Sequence, residues 1–267
     1  MARRISVRHG DDWKGDLVPN LRALFGQPIR INIPAELADE AALLAYLGVG
    51  AAELKKIWYY RKRMYRHFSI AKGPNKVRMI SAPDSRLKFL QRKLADKLTE
   101  LYRPRDPVHG FVVERSIKTN ALAHLHRRFV VNLDLKDFFP TISQRRISGM
   151  LSSLGVDTRV AEIVARICCN NAHLPQGAPS SPVLSNMICF RLDKNLMGFA
   201  KEARCIYTRY ADDITFSSHQ PPTMLFEAAL PPPGRFSPDL FAPKLRDVFE
   251  HNGFAVNPDK VDRKSVV

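Results

Sequence analysis

The sequence predicts an α+β fold in which an antiparallel sheet is backed by helices. Three observations carry that expectation. Segments with helical apolar spacing are interrupted by hairpin patterns instead of alternating strictly with single strands, which argues against a doubly wound parallel sheet. The run FVVNLDL, residues 129–135, is apolar enough for a buried strand. The stretch CIYTRYADDITFSS, residues 205–218, reads as a β-hairpin turning at Ala211-Asp212-Asp213.

The elements follow in order. Residues 36–47 (ELADEAALLAYL) carry apolar positions at helical spacing, and residues 51–67 (AAELKKIWYYRKRMYRH) read as a basic helix with interleaved aromatics. FSIAKGPNKVRMISAP reads as two short strands around a Gly-Pro-Asn turn, ending at Pro83. Asp84 is placed to cap a long helix from Ser85 to about Tyr102, and Ser116 to cap a helix over IKTNALAHLHRR. After the strand at 129–135, residues 143–154 and 157–170 read as helices. HLPQGAPSSP is a loop, and Ser181-Pro182 opens a helix to about Ala200, with proline in its first turn. Residues 219–236 are Pro-rich and read as a surface loop. A helix over 238–252 and a short strand, FAVN, close the pattern. No internal repeat is present.

The 267 residues are 45% apolar, enough for a sizeable core and one or two domains. No apolar run reaches membrane-spanning length, and the basic N-terminus is not followed by the apolar stretch of a secretory signal, so a cytoplasmic protein is expected. Cys168, Cys169, Cys189 and Cys205 form no CxxC pair and are read as reduced thiols. The formal net charge is +16, and it is concentrated: 16 basic residues stand against 3 acidic ones between Lys55 and Arg105. A surface built for solubility would mix its signs, so a polyanion, nucleic acid first, is the expected partner. Charge alone does not separate an enzyme from a binding module.

Asp134, Asp212 and Asp213 are poor strand residues. A solvated turn or an edge strand would explain either feature by itself. If the two strands are central and adjacent, however, the three carboxylates converge. Bare, that cluster raises at least one pKa; divalent cations relieve it. Hard oxygen ligands suit Mg²⁺, with Mn²⁺ as a substitute, and Mg²⁺ needs only one or two protein carboxylates per ion. Two such ions activate a 3′-hydroxyl and stabilise leaving pyrophosphate.

These residues resemble a known family. YADD resembles the signature hairpin of reverse transcriptases, and LDLKDFFPTI their first catalytic strand. LPQGAPSSPVLSN resembles the loop and helix that grip nucleotide and template, KVRMISAPDSRLKFLQRKL the fingers of bacterial reverse transcriptases, and GFAVNPDK the element after the catalytic hairpin. The motifs stand in family order over roughly residues 40–262. HGFVVERSIKTNALAH, with the NAxxH pattern at Asn120 and His124, is similar to retron enzymes.

The resemblance implies a right-hand polymerase fold with an antiparallel palm and helical and β-hairpin fingers. Residues 1–50 would form an N-terminal helical extension, 51–128 the fingers and 129–267 the palm, with 143–182 contributing partly to the fingers. It implies that Asp134, Asp212, Asp213 and the Leu135 carbonyl hold two Mg²⁺. Phe139 would exclude a 2′-hydroxyl, and Arg78 would grip the triphosphate with Lys72 or Lys76 beside it. Gln176 and Gly177 would line the nucleotide, and Lys260 would approach the pyrophosphate. For Asn120 and His124, RNA contact and a satisfied helix face both stay open. The implied activity is RNA-directed DNA synthesis from dNTPs, copying a structured noncoding RNA into single-stranded DNA beside an effector protein in antiphage defence. Alternatives are a group II intron-like enzyme, an untemplated defence polymerase, or a non-catalytic RNA-binding scaffold. The resemblance also leads one to expect a helical thumb opened by Val-Thr-Gly. The 267 residues contain none, leaving truncation, a separate chain and natural absence open.

Overall fold

The computed structural model describes residues 32–73 and 76–265; the side chains of Lys72, Lys76 and Ser265 lie outside that description. The expected N-terminal extension is therefore described only from residue 32. There a 3-10 turn (Ala35–Leu37) leads into α1 (Glu40–Leu47), capped by the Asp39 carboxylate accepting from Ala42 N–H at 2.8 Å. Helix α2 (Ala51–Tyr60) follows.

The basic helix expected over 51–67 stops at Tyr60. A 3-10 turn (Arg61–Met64) carries the chain into strand β1 (Tyr65–Gly73), which pairs antiparallel with β2 (Lys76–Pro83) from Tyr65↔Pro83 to Gly73↔Lys76. Periodicity alone extends the helix through Tyr65. The pairing with Pro83 and a buried hydrogen bond from Gln91 Nε2 to Tyr65 Oη (2.8 Å) override it. The hairpin is thus longer than the two short strands expected.

Helix α3 (Ser85–Leu101) is capped as read: Asp84 accepts from Leu87 N–H at 2.8 Å. Its Leu87, Leu90, Leu94, Leu98 and Leu101 form one stripe, each at most 6% exposed. Helix α4 (Ile117–Leu122) carries a capping box on Ser116 and Thr119 and ends sooner than expected, in a turn where His126 has φ 59°.

The main sheet has five strands in the order β4-β5-β3-β7-β6, all antiparallel: β3 (Phe129–Asp134), β4 (Ile206–Tyr210), β5 (Asp213–Ser218), β6 (Gly234–Arg235) and β7 (Asp262–Ser265). Strand β3 is central, as its apolar run implied. Val131, Leu133, Ile214, Phe216 and Tyr207 turn one face into the core. Against it pack α3, α5 (Phe138–Thr141), α6 (Gln144–Ser153), α7 (Thr158–Cys168), α8 (Ser181–Ile188) and α9 (Phe190–Glu202). The single helix expected over 181–200 is broken at Cys189 into α8 and α9. The cysteines are free thiols, three of them buried.

Two C-terminal readings are corrected. FAVN is not a strand: Val256 makes one bridge to Leu135, and the strand that joins the sheet is β7, over Asp-Arg-Lys-Ser, which lacks apolar alternation. The Pro-rich segment is anchored, not a bare surface loop. Phe226, Phe236 and Phe241 pack ring to ring at 5.3–5.7 Å, and β6 closes the sheet's edge. The last helix, α10 (Pro243–His251), starts after a separate 3-10 turn (Pro238–Leu240). Among the described residues no helix is long and apolar enough to cross a membrane.

The opposite sheet face is partly polar. There His124 bridges two strands, its Nδ1 2.6 Å from Ser217 Oγ and its Nε2 2.7 Å from Thr208 Oγ1. Burial, then the positive charges of His109 and Arg127, holds its pKa down at about 4 against an ordinary 6.5. The unfolded chain therefore takes up this proton first, and stability falls as pH drops from about 6.5 towards 4. Thermal unfolding of His124→Gln across that window should show a flatter pH dependence than the parent chain; parallel curves would refute the linkage.

Candidate active site

The central register brings the sequence's misplaced acids together. Asp134 ends β3 directly opposite Asp213 of β5, so both side chains leave the same sheet face. Asp212 sits between β4 and β5 in a two-residue turn. Ala211 has φ 58° in its first position, the pattern of a type II′ turn with alanine where glycine is usual. The Asp212 carbonyl accepts from Leu135 N–H at 2.9 Å, tying the turn to the end of β3. Leu135 itself is buried.

Asp134 is 4% exposed, Asp212 half-buried and Asp213 exposed. Burial first, then the charge of Asp134, raises the Asp212 pKa, and the two carboxyls also hydrogen-bond. Asp134 is held on three sides. Lys260 Nζ pairs with one oxygen, Asn257 Nδ2 donates to the other at 3.0 Å, and Asn257 N–H donates to its carbonyl at 2.8 Å. A cleft of about 590 Å³ opens here, lined among others by Asn132, Asp134, Asp213, Thr215, Arg235 and Lys260. Among the described residues no three His, Cys, Asp or Glu side chains gather tightly enough to hold an ion alone. The meeting pair fits Mg²⁺, which takes one or two carboxylates and completes its shell with other oxygens.

Beneath the turn lies a network the sequence reading missed. Arg209, fully buried, forks onto Asp193 through Nε (2.7 Å) and Nη2 (2.8 Å). Its Nη1 donates to the Ala211 carbonyl (3.0 Å) and to Asn186 Oδ1 (3.1 Å), while Tyr207 Oη donates to Asp193 at 2.7 Å. Asn186 Nδ2 in turn donates to the Gly110 carbonyl at 2.9 Å. Gly110 lies so close that a Cβ there would stand 2.3 Å from Ala211 N. The signal available in the sequence was a charge inside a strand, the same one that singled out Asp134.

The residues expected beside the nucleotide fall at the β1–β2 hairpin. Ser81 N–H donates to the Gln176 carbonyl at 2.8 Å. Gly177 has φ 116°, and a Cβ on it would come within 2.7 Å of Ile80 Cγ2. Arg78, exposed, shares the strand face of Ile80. Lys72 belongs to β1, and its side chain lies outside the described residues. Phe138 is core, stacked on Phe254 at 5.9 Å; Phe139 is half-buried, 6.3 Å from Phe111. Asn120 Oδ1 is buried without a hydrogen-bond partner, and His124 is satisfied by Thr208 and Ser217. Arg235 and Asn257 join the site without having been read from sequence.

Asp193→Ala should leave Arg209 buried and unpaired and lower stability by about 3–5 kcal/mol, measured by denaturant unfolding. Lys260→Met should tighten Mn²⁺ binding in the absence of nucleotide, because the competing ammonium is gone. Unaltered Mn²⁺ affinity in spin-resonance titration would contradict that competition.

Residues 70–264 match the family "Reverse transcriptase (RNA-dependent DNA polymerase)". The chain is 34% identical over 256 residues to the Retron Mx162 reverse transcriptase of Myxococcus xanthus, covering 86% of this chain and 51% of that protein. It is 39% identical over 177 residues to the Retron Ec86 reverse transcriptase of Escherichia coli, covering 64% and 54%. Similarity to the group II intron-encoded protein LtrA of Lactococcus lactis is lower, 26% over 159 residues, covering 53% and 26%. The chain spans about half the length of the retron relatives it matches. With a family match across most of its residues, the chain belongs to the reverse transcriptase (RNA-dependent DNA polymerase) family and is of the retron type.

Proposed function

We propose that the protein is an RNA-directed DNA polymerase that copies a structured noncoding RNA into single-stranded DNA from dNTPs. The observation that carries this reading is the meeting of the Asp134 and Asp212 carboxylates at the end of the central strand, inside a reverse transcriptase family match. In this reading the five-stranded sheet is the palm of a right-hand polymerase over residues 129–267. Residues 51–128, with part of 143–182, are the fingers.

Asp134, Asp212, Asp213 and the Leu135 carbonyl would hold two Mg²⁺, which when bound activate the primer 3′-hydroxyl and stabilise the leaving pyrophosphate. The remaining roles belong to this chain's own groups. Arg78 presents a planar fork to the triphosphate from the hairpin, and Lys72 lies on the neighbouring strand. Gln176 and Gly177 present backbone beside that hairpin, and at Gly177 a side chain would not fit. Phe139 offers a ring that cannot hydrogen-bond a 2′-hydroxyl and so favours deoxynucleotides. Lys260 keeps positive charge in the cleft on the side where pyrophosphate forms. Asn257 fixes one Asp134 oxygen, and His124 holds α4 and its turn on the sheet. The protein would serve antiphage defence with its own RNA and an effector protein.

Primer extension on an RNA template with Mg²⁺ tests this reading. The parent chain should incorporate dNTPs. Asp134→Asn and Asp212→Asn should each lose about 10³-fold in rate, the scale of several kcal/mol of charge stabilisation, with RNA binding retained. Phe139→Ala should raise ribonucleotide incorporation relative to deoxyribonucleotide. No incorporation by the parent chain on its own RNA would sink the reading.

A further inference from the structure

Away from the acids, helices α2, α6 and α7 enclose a second cleft of about 260 Å³, to which none of the strands of the main sheet contributes. Its lining is dominated by hydrogen-bond donors: Trp58, Gln144, Arg145, Arg159 and Arg166, with Glu162 as its one carboxylate. The Arg166 and Arg159 guanidiniums lie over the Trp58 ring at 4.4 and 5.3 Å. The indole Nε1–H beneath them is buried and has no acceptor. Gln144 Oε1 already accepts from Arg61 Nη1 at 3.3 Å, so what this lining residue has left to offer is its amide donor. Arg159 meets Glu40 at 3.0 Å and Glu162 at 4.0 Å. Among the described residues, Arg145 and Arg166 have no carboxylate within 4 Å.

Guanidiniums so arranged repel one another, and an anion with several acceptor oxygens relieves that repulsion and meets the idle donors together. Next to Trp58 along α2, Tyr59 is 81% exposed and stands edge-on to Tyr60 at 4.8 Å, with Lys55, Lys56 and Lys62 also exposed on this stretch of chain. An acidic peptide would use the charges and leave the rings idle. A single strand of nucleic acid uses both, phosphates on the arginines and bases on the rings. We propose that this cleft is a second RNA site, in which Arg145, Arg159 and Arg166 hold backbone phosphates of a single-stranded RNA segment and Tyr59 stacks a neighbouring base. The proposal rests on the reading of the protein as RNA-binding and places an RNA contact where the catalytic cleft has no residue.

Filter binding of a labelled oligouridylate of about 20 nucleotides, over a series of salt concentrations, is the test. The parent chain, Arg145→Gln/Arg166→Gln, Trp58→Phe and Lys244→Gln are compared, with circular dichroism confirming that each is folded. The double variant should bind roughly tenfold more weakly. The slope of log affinity against log salt should shrink by roughly 1.4, at about 0.7 for each single-strand phosphate that is no longer neutralised. Trp58→Phe, which keeps an aromatic ring, though a smaller one, and removes the N–H, should weaken binding less, and Lys244→Gln should match the parent. Primer extension on a short primer-template should keep its rate in the double variant. An unchanged affinity and slope would overturn the proposal while leaving the polymerase reading intact. A loss seen only with a polyglutamate competitor would overturn it in favour of an acidic protein partner. Failure of the parent chain to bind the oligouridylate at all would overturn both readings.

Discussion

A guanidinium sealed away from water sets the position of the turn that carries Asp212. Arg209 cannot leave Asp193 without stranding two charges in the core, and the same side chain holds the Ala211 carbonyl. Asn186 and Gly110 extend the hold to the loop before α4. The turn bearing Asp212 is therefore fixed from below by a fully buried ion pair and from the side by Leu135 N–H. Its alanine at positive φ costs energy that an isolated hairpin would shed by changing turn type. Here the network beneath leaves no other conformation. The precision of the acidic site is thus bought in the core, where the ion pair is screened by neither water nor salt.

The acids themselves work against stability. A half-buried Asp212 beside a buried Asp134 raises the cost of ionisation, and Lys260 and Asn257 offset part of it. Lys260 stands where positive charge is needed most, which is also where a cation would bind. The arrangement makes the segment after α10 an electrostatic partner of β3 as well as its neighbour in the fold. Arg146 holds the same segment from another side, donating to the Asn252 and Gly253 carbonyls and lying over the Phe254 ring.

Much of this was legible in the residues. The apolar run of β3, the Asp84 and Ser116 caps, the leucine stripe of α3 and the hairpin at Ala211-Asp212 all declare themselves through local chemistry. What stayed hidden depends on distant partners. Strand β7 has no apolar face to advertise it, because it reaches the sheet by pairing with β3 while Arg263 buries its Nε against the Pro231 carbonyl. The end of α2 is decided by Pro83 and Gln91, some twenty to thirty residues on. Arg209 stands out as a charge inside a strand, but Asp193 looks like an ordinary helix-surface charge until the two are seen to meet. Arg235 enters the site from a segment whose composition says only loop, and Asn257 from the end of FAVN, which reads as a strand and is not one.

The β1–β2 hairpin has a mechanical consequence. Its base is fastened at Asp84 N–H to the Met64 carbonyl, at Ser81 to Gln176, and by the bare backbone of Gly177 under Ile80. Beyond those fastenings Phe68, Ile70, Val77 and Met79 are open to solvent. The ribbon is a cantilever. A small tilt at the clamped end becomes a larger sweep at Arg78 and beyond, so a change buried at the base can reposition a charge farther out that it never touches.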